Sequence, residues 1–289
     1  MMDLITLLFH DIYISDPEES GFSGAVADRY KITATTFDRH LEALDRTLTA
    51  PPVLVTEAMC INQPQTPVAI TVDDGGVSYH SIIASRLEER GWRGHCFVTT
   101  SYIGRRGFLD KHHLRDLHAR GHIIGSHSVS HLSHMEKCDP LVVFREWSES
   151  RKALEDILGS EVTCASVPGG YYSRCVAQIA SKAGLINLFT SEPDKAVQTV
   201  ERCMVMGRFA VRSGSSPEYV KRLARGDPAI LHRELRVWKG KKALKLLFGR
   251  AYPLLGEYAH RVRSGGSNIS RQRQLISNSH TDTEPDKKT

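Results

Sequence analysis

The sequence predicts an α/β fold, a (β/α) barrel built on a largely parallel sheet. Short apolar segments that resemble strands alternate with helix-like segments through the middle of the 289-residue chain. Most of the helix-like segments stop at a glycine, which is a common way for a helix to end. Polar residues follow several of the strands, as they do on the active face of a barrel, and the length suits one barrel domain.

The individual elements follow from hydrophobic periodicity and helix-stop residues. Strands are predicted over residues 4–9, 68–72, 95–99, 122–125, 162–167, 186–190 and 205–211. Helices are predicted over 36–48, 78–90, 110–120, 141–158 and 172–183, with another beginning near Ser216. The first helix is typical of the set, because Phe37, Leu41, Leu44 and Leu48 recur on one face.

The composition changes after residue 220. Ten basic and only two acidic residues lie between Val220 and Arg250, and from Ser264 the chain is polar and rich in Gly and Ser. We therefore expect a barrel domain over 1–232, a basic amphipathic helical extension over 233–263, and a disordered tail over 264–289. The basic helix could pack on the barrel with a solvated charged face, or make peripheral contact with an anionic membrane surface.

Composition also limits the class of protein. The net charge of +5 is too small to indicate a nucleic-acid partner. The six cysteines are scattered without a Cys-x-x-Cys pair, which argues against a zinc ribbon or a redox motif. The first ten residues lack the basic start of a signal peptide, and no window reaches about 18 apolar residues. These features lead us to expect a soluble, reduced, cytoplasmic protein.

The first group of chemically suggestive residues directly follows the predicted strand 68–72. Asp73 and Asp74 are adjacent acids, which repel each other unless a cation or a proton intervenes. One could ligate a metal ion while the other stays free as a base, since successive side chains point in different directions. The alternative is an acidic turn, because Asp-Asp-Gly is common turn chemistry.

The second group is the pair His127 and His131, which follows the predicted strand 122–125. Imidazoles four residues apart share one face if the loop turns helical, and can then bind one metal ion. Seven of the fourteen histidines lie between His112 and His134, so a chance pairing is a real alternative. His134 is close enough in sequence to compete as a ligand, whereas His112, His113 and His118 are expected to be solvated.

The third group is the stretch Ser166-Val167-Pro168-Gly169-Gly170-Tyr171-Tyr172, between a strand and a helix. Glycines here let backbone N–H groups face a ligand, which suits an oxyanion hole near Gly169. A plain strand-to-helix turn is the alternative.

In their order, the three groups resemble the motifs of the polysaccharide deacetylases, the NodB-like carbohydrate esterases of family 4. Thr71-Val72-Asp73-Asp74-Gly75 matches the family's Thr-Phe-Asp-Asp-Gly, and His127 to His131 matches its His-[Ser/Thr]-x-x-His. Residues 166–170 are similar to its Arg-x-Pro-[Tyr/Phe]-Gly segment, and Phe9-His10-Asp11 to its opening Tyr-His. The resemblance spans residues 4–225 and implies that family's distorted (β/α) barrel over the catalytic domain 1–232.

The resemblance also implies a catalytic apparatus. Asp74, His127 and His131 would hold a divalent metal ion, with zinc as the expected ion, and Asp73 would be the general base for the attacking water. An N–H near Gly169 would stabilise the oxyanion, and Ser128 would orient the ligands.

Two family features are displaced in this sequence. The arginine of the third motif, which orients the catalytic Asp, is replaced by Ser166, and Arg208 or Arg212 are the candidate substitutes. The late Leu-x-His segment that supplies the general acid has Ile230-Leu231-His232 as its only candidate, with His10 as the rival acid.

The resulting hypothesis is a metal-dependent hydrolase that removes acetyl groups from N-acetylated sugars of a polysaccharide or its precursor, as in exopolysaccharide biosynthesis. O-acetyl esters are open as substrates. Two other classes remain: a non-catalytic carbohydrate-binding or regulatory protein that retains the fold, motivated by Ser166, and a basic adaptor that acts at membrane surfaces through residues 220–260.

Overall fold

A computed structural model describes residues 2–58 and 65–248 of the chain, with side chains to residue 243. Its centre is a nine-stranded sheet with the order β11-β1-β4-β5-β6-β7-β8-β10-β9, and β2 and β3 form a separate pair. The strands are β1 (Ile5–Phe9), β2 (Ile12–Tyr13), β3 (Ile32–Thr33), β4 (Val68–Val72), β5 (His95–Val98), β6 (Ile123–Ser126), β7 (Cys164–Ser166), β8 (Asn187–Phe189), β9 (Gln198–Val200), β10 (Cys203–Met206) and β11 (Phe209–Ala210). All neighbours in the large sheet are parallel except β9 and β10.

Helices connect the strands of this sheet or follow the last of them. They are α1 (Ala34–Asp45), α2 (Val55–Ala58), α3 (Ala84–Glu88), α4 (Lys111–Ala119), α5 (Pro140–Leu158), α6 (Arg174–Lys182), α7 (Pro217–Ala224) and α8 (Pro228–Phe248). Polar residues cap several of them: the side chains of Asp110, Ser173 and Ser216 each accept a backbone N–H at the start of α4, α6 and α7. The predicted α/β class and the distorted, open (β/α) barrel are thus confirmed.

The predicted elements differ from the structure in three informative places. Residues 78–90 begin as a π-helical turn, Tyr79–Ile83, before α3. The antiparallel strand β9 and the small pair of β2 and β3 were not predicted, because each strand has only two or three residues. The predicted strand 205–211 is two strands, β10 and β11, which lie on opposite sides of the sheet order.

The break between β10 and β11 falls at Gly207. A Cβ atom on Gly207 would lie 2.4 Å from the carbonyl oxygens of both Glu192 and Asp194, so only glycine fits here. Before this point the chain runs in β10, between β8 and β9, and after it the chain runs in β11, beside β1 at the other edge of the sheet. This crossing curves the sheet into an open barrel. The crossing residue that follows, Arg208, is 1% exposed.

Side-chain alternation along the strands separates two cores. On one face of β1, β4 and β5, residues such as Leu7, Ile70 and Cys96 pack beneath α1, α3, α4 and α7. The opposite face points into the barrel, where Ala69, Phe97, Phe189 and Met206 form a smaller apolar cluster. At the carboxyl ends of several strands, the next residue that points into the barrel is polar.

The described part of the chain bears on several sequence predictions. Its cysteines are free thiols at Cys96, Cys138, Cys164, Cys175 and Cys203, while Cys60 lies outside the described residues. No helix among residues 2–58 and 65–248 is long and apolar enough to span a bilayer.

The chain divides into a compact unit over Met1–Leu235 and a second unit from Arg236. Within the second unit, the ammonium group of Lys242 lies 4.5 Å from the ring centre of Trp238. The predicted domain division at 232 and 263 stays a prediction. Residues 249–263 of the predicted basic extension, and the predicted tail, lie outside the described residues.

Candidate metal centre and active site

The inward-facing positions of five strands meet at the carboxyl end of the barrel. On β4, Ala69 and Thr71 are followed by Asp73; on β6, Ile123 and Gly125 are followed by His127. By the same alternation of period two, His10 follows β1, Ser166 ends β7 and Arg208 follows β10. The sequence therefore places one polar side chain at or just after the end of each of these five strands, and the barrel brings these side chains together.

His127 and two neighbouring residues, Asp74 and His131, form a compact group of metal-ligand type. Asp74 Oδ1 lies 3.5 Å from His127 Nε2 and 3.4 Å from His131 Nε2. One donor atom from each residue falls within 4.8 Å of the other two, and among the described residues this is the one such cluster of three or more His, Cys, Asp or Glu. The three predicted ligands are thus close enough to bind one ion.

The spacing suits a transition-metal ion. Bonds of about 2.0–2.2 Å to nitrogen and oxygen in tetrahedral geometry separate neighbouring ligand atoms by about 3.4 Å, which agrees with the measured distances from Asp74 to the two histidines. Two imidazoles and one carboxylate match the donor set of catalytic zinc sites, which keep an open position for water or substrate. The residues present therefore fit the expected ion.

The tautomer of His127 is also appropriate. Its Nδ1 lies 2.9 Å from the carbonyl oxygen of Ser166, so Nδ1 carries the proton and donates it to that oxygen. Nε2 is then left with a lone pair directed toward Asp74. Backbone carbonyls commonly fix metal-binding histidines in this way.

The loop from His127 to His131 is not helical, which corrects the expectation that a helical turn would align the two imidazoles. Instead Ser128 and His131 adopt positive φ angles of 63° and 60°, and Asp74 has φ of 79°. Left-handed conformations of non-glycine residues cost about 1 kcal/mol or more each and cluster at functional sites. The Ser128 hydroxyl accepts the N–H of Leu132 at 3.2 Å, so Ser128 holds the turn that carries His131.

Glu146, on α5, is a second anchor of this loop. Its Oε2 accepts the backbone N–H groups of Val129 and Ser130, each at 2.9 Å, and its Oε1 accepts the Ser130 hydroxyl at 2.8 Å. Sequence reasoning missed Glu146, because nothing in a helical Glu indicates which loop lies above it.

Asp73 is held by Arg208. Nη1 of Arg208 donates to Asp73 Oδ1 at 2.7 Å, and Nη2 donates to Oδ2 at 2.8 Å. The guanidinium also donates to Ser166 Oγ at 2.7 Å and, through Nε, to the Thr190 carbonyl at 2.8 Å. Ser166 in turn donates to Asp73 Oδ2 at 3.0 Å. Arg208, which follows β10, thus binds Asp73, the carboxylate that the arginine of the third family motif is expected to bind. Ser166 occupies that arginine's sequence position and donates a hydrogen bond to the same carboxylate.

Electrostatics keep both aspartates ionised. Burial raises the pKa of Asp73, but the Arg208 charge, His127 and the Arg208 hydrogen bonds outweigh burial, so the pKa lies below its ordinary value. Burial also raises the pKa of Asp74, but the nearby imidazoles of His127 and His131 outweigh burial, so this pKa lies well below its ordinary value. An ionised Asp73 can accept a proton, and an ionised Asp74 can bind a cation.

The two candidate acids occupy different places. Burial lowers the pKa of His10, and the charges of Asp74 and Asp73 offset this only in part. The His10 ring lies 4.7 Å from that of Tyr30. Its Nδ1 is shielded from solvent and has no hydrogen-bond partner within the described structure. His232 is exposed on α8 and, among the described residues, makes no hydrogen bond, ion pair or ring contact with the cluster.

The remaining predicted residues surround the site. Gly169 has φ of 64° in the short 3₁₀ turn Pro168–Gly170, which begins two residues after Ser166, the residue that contacts both His127 and Asp73. The His134 ring stacks against Tyr171, with ring centres 3.6 Å apart, and lies outside the three-ligand cluster. His118 is exposed, as expected, and its Nε2 lies 3.1 Å from the Ser160 hydroxyl.

Asp11 is a buried carboxylate next to Gly76 and Ser78, the residues that follow the Asp73-Asp74 pair. Asp11 is 2% exposed, and its Oδ1 accepts the hydroxyls of Ser20 and Ser78 at 2.5 and 2.9 Å. Burial raises the pKa of Asp11 to about 6, only partly offset by the Ser20 hydrogen bond. A Cβ on Gly76 would lie 1.8 Å from Asp11 Oδ1, which requires glycine there.

These features define a class of protein: an open (β/α) barrel whose carboxyl end holds an Asp-His-His metal-type centre beside an arginine-bound aspartate. Residues 61–188 match the model of the polysaccharide deacetylase family. The matched segment is similar to this family, and the chain has the fold of solved polysaccharide deacetylases.

Individual relatives are distant. The protein YxkH of Bacillus subtilis (strain 168), named for the same family, is 26% identical over 129 residues, which are 45% of this chain and 46% of that protein. The match thus spans about half the length of this curated relative.

Two similar solved structures are a polysaccharide deacetylase from Bacillus cereus and a de-N-acetylase from Aggregatibacter actinomycetemcomitans. The first has a TM-score of 0.64 at 17% identity and covers 77% of this chain and 69% of that one. The second has a TM-score of 0.62 at 15% identity and covers 76% of this chain and 99% of that one. At these identities the similarity concerns the fold.

Proposed function

We propose that this protein is a metal-dependent hydrolase that removes acetyl groups from N-acetylated sugars of a polysaccharide or its precursor. The observation that carries the proposal is the pairing of an ionised, arginine-bound Asp73 with the three-ligand group Asp74, His127 and His131. The match of residues 61–188 to the polysaccharide deacetylase family model and the fold shared with solved deacetylases support it.

A divalent ion, zinc in our proposal, would be held by Asp74, His127 and His131, where it supplies a Lewis acid and lowers the pKa of water. Asp73 accepts the proton of the attacking water as general base. Arg208 holds the Asp73 carboxylate by two hydrogen bonds, which fixes its orientation and keeps it ionised before the substrate arrives.

His10 serves as the general acid in this proposal. Its buried Nδ1 has no partner in the described structure, and it faces the same site as Asp73. Water adds to the acetyl carbonyl carbon, the C–N bond breaks, and the amine leaves with a proton donated by His10. The backbone N–H near Gly169 is the proposed donor to the oxyanion.

The presence of Arg208 weakens the rival hypothesis of a non-catalytic protein. That hypothesis depended on the missing arginine at Ser166, and Arg208 occupies its chemical place. As a location we propose the cytoplasmic side of the membrane, where acetylated precursors of an exopolysaccharide are the fitting substrates. Contact of the basic residues after 232 with an anionic membrane surface also remains a proposal.

The function is tested by acetate release from N-acetylglucosamine oligomers and from O-acetylated xylan by the full chain loaded with zinc. We expect acetate and free amine in equal amounts from the first substrate, and Asp73→Asn to lose at least 10³-fold in kcat. The matched control is Asp45→Asn, an exposed carboxylate at the end of α1. Acetate from the xylan alone would move the proposal to O-acetyl esters. No acetate from either substrate, nor from N-acetylated sugars that carry a phosphate or a carboxylate, would overturn it.

A further inference from the structure

A second concave site lies beside the catalytic end of the barrel. The cavity has a volume of about 590 Å³ and is bounded by Arg29, the loop 212–216, the start of α7 and the start of α8. Its most conspicuous feature is a set of four arginines, Arg29, Arg212, Arg222 and Arg233. No step of the proposed reaction uses any of them.

Two of the four positive charges are not neutralised by the protein. Arg222 pairs with Asp227 at 2.7 Å, and Arg233 contacts Glu234 at 3.1 Å. Arg29 and Arg212 form no ion pair with any residue in the described part of the chain, and both are exposed.

The acidic residues of the wall do not cancel this charge. Glu218 is engaged by Lys221 at 2.9 Å, and Glu234 is the carboxylate that Arg233 contacts. The cavity therefore presents unpaired positive charge.

The loop that carries Arg212 is held in place by its own hydrogen bonds. Ser215 N donates to the Arg212 carbonyl at 2.8 Å, and Arg212 N donates to Ser215 Oγ at 2.9 Å. Ser213 N donates to the Arg29 carbonyl at 3.0 Å, which fixes the two cationic walls relative to each other. The hydroxyls of Ser213, Ser215 and Ser216 add polar groups to the lining.

The cavity adjoins the active site through strand register. Leu8 on β1 pairs with Ala210 on β11, so the residues two positions later, His10 and Arg212, emerge side by side. One tyrosine separates them: Tyr30 lies 4.7 Å from the His10 ring on one side and 5.8 Å from the Arg212 guanidinium on the other. A single substrate molecule with its acetamide at His10 would therefore be within reach of Arg212.

We propose that Arg29 and Arg212 bind an anionic group, a phosphate or a carboxylate, of the acetylated sugar substrate, and so select charged over neutral saccharides. This inference rests on the proposed function and narrows its substrate class. Arginine suits the role because its planar fork donates paired hydrogen bonds to carboxylate or phosphate oxygens. The anionic group can be the phosphate of a sugar phosphate or the carboxylate of a uronic acid. Binding measurements with one sugar of each kind distinguish the two.

Binding is measured first, by calorimetry on the full chain carrying Asp73→Asn, so that turnover does not interfere. The probes are N-acetylglucosamine 1-phosphate, a disaccharide of N-acetylglucosamine and glucuronic acid, neutral N-acetylglucosamine dimer, and inorganic phosphate. We expect one anionic sugar to bind at least tenfold more tightly than the neutral dimer, and the tighter one identifies the source. Equal affinity of charged and neutral sugars, or binding of inorganic phosphate alone, would overturn the inference.

Kinetics then separate this inference from the proposed function. Arg29→Gln/Arg212→Gln should raise KM for the preferred anionic substrate about tenfold or more with little change in kcat, and leave neutral oligomers unaffected. Arg225→Gln, an exposed arginine outside the cavity at the end of α7, is the charge-matched control. If the double substitution leaves KM for the anionic substrate unchanged, the proposed anion site is wrong, but the proposed deacetylase function is unaffected. Anion binding without acetate release leaves the site standing and overturns the function.

Discussion

Arg208 and Asp73 are joined by two parallel hydrogen bonds of 2.7 and 2.8 Å, although they lie on strands far apart in sequence. Both side chains are buried, with Arg208 at 1% and Asp73 at 3% exposure. Ser166, at the position where the family motif has its arginine, donates to the same carboxylate. Arg208, which follows β10, thus supplies the positive charge that orients Asp73, the proposed catalytic base.

The first prediction concerns Arg208→Lys. Lysine keeps the charge but cannot make the paired hydrogen bonds, so we expect kcat to fall about 10²-fold with metal content unchanged. Because Arg208 lowers the pKa of Asp73 and burial raises it, the acidic limb of the pH–kcat profile should move to higher pH in the variant. Arg202→Lys, an exposed site, is the control. An unshifted acidic limb in Arg208→Lys would contradict the assignment.

A compensating pair tests the same relationship more sharply. Arg208→Ser alone leaves a buried carboxylate without its cation, which typically costs about 3–5 kcal/mol of unfolding free energy. Ser166→Arg/Arg208→Ser returns the arginine to the family's motif position and should recover part of both the stability and the kcat. Denaturant unfolding and acetate release measure the two. A double variant no better than Arg208→Ser would show that the two positions are not equivalent.

The second prediction concerns the metal centre. Elemental analysis of the full chain should find about one divalent transition-metal ion, absent from His127→Ala/His131→Ala. At a ligand concentration of 100 Kd, binding stabilises the folded state by about 2.7 kcal/mol, so chelation should lower Tm in the wild type and not in the double variant. His118→Ala, an exposed histidine outside the cluster, should behave as wild type. A wild-type protein that takes up no metal on titration would refute the mechanism.

The third prediction concerns Glu146→Gln. The substitution removes the charge that holds Val129, Ser130 and hence the His131 loop. Residues that orient metal ligands typically contribute 10–100-fold to metal affinity, so we expect that loss in affinity and a kcat largely restored at saturating metal. Glu149→Gln, an exposed residue on the same helix α5, is the matched control. Equal metal affinity in both variants would rule out the anchoring role.

The fourth prediction separates the two candidate acids. His10→Gln should lose about 10²–10⁴-fold in kcat while retaining metal, because the leaving amine lacks its proton donor. His232→Gln should match the wild type, since His232 is exposed on α8 and contacts nothing in the cluster among the described residues. The reverse result would restore the Leu-x-His assignment. Rates with an ester substrate, whose leaving group needs less protonation, should fall less in His10→Gln.

The fifth prediction uses the pH dependence of stability. Burial raises the pKa of Asp11 from 3.8 to about 6, so the folded state binds its proton more tightly than the unfolded state does. The stability associated with this group is present below pH 3.8 and is lost as the pH rises through 6. Asp11→Asn removes that dependence, so the unfolding free energy of the variant should rise relative to that of the wild type between about pH 4 and 7, by up to about 3 kcal/mol, and the difference should stay constant above pH 7.

Denaturant titrations at several pH values measure this gain. Asp45→Asn, an exposed carboxylate, should follow the wild type throughout. A constant difference between Asp11→Asn and the wild type across the range would contradict the raised pKa of Asp11.

Much of the fold was predictable because it depends on local patterns. The apolar run at Val68–Val72 fixed β4 to the residue, and helix-stop glycines placed the ends of α4 and α5 within one or two residues. The strands β9 and β11 were missed or merged, because segments of two or three residues carry too little periodicity. Their pairing depends on distant strands that no local window contains.

The sequence predicted the cluster of Asp74, His127 and His131 from the order of the motifs, but it did not show why these residues converge. The expected helical turn is replaced by positive φ angles at Ser128 and His131, which local propensity disfavours and the fold imposes. Alternation along β10, where Met204 and Met206 point inward, could have indicated that Arg208 does the same.

By itself the sequence determined the alternating elements and the inward-facing polar residues after the strands, because side-chain period and helix-stop chemistry act over a few residues. Only the tertiary structure decided which polar residues meet: Arg208 with Asp73, Glu146 with the His131 loop, and Arg212 beside His10. These pairings depend on sheet order and register, which are set by packing between segments far apart in the chain.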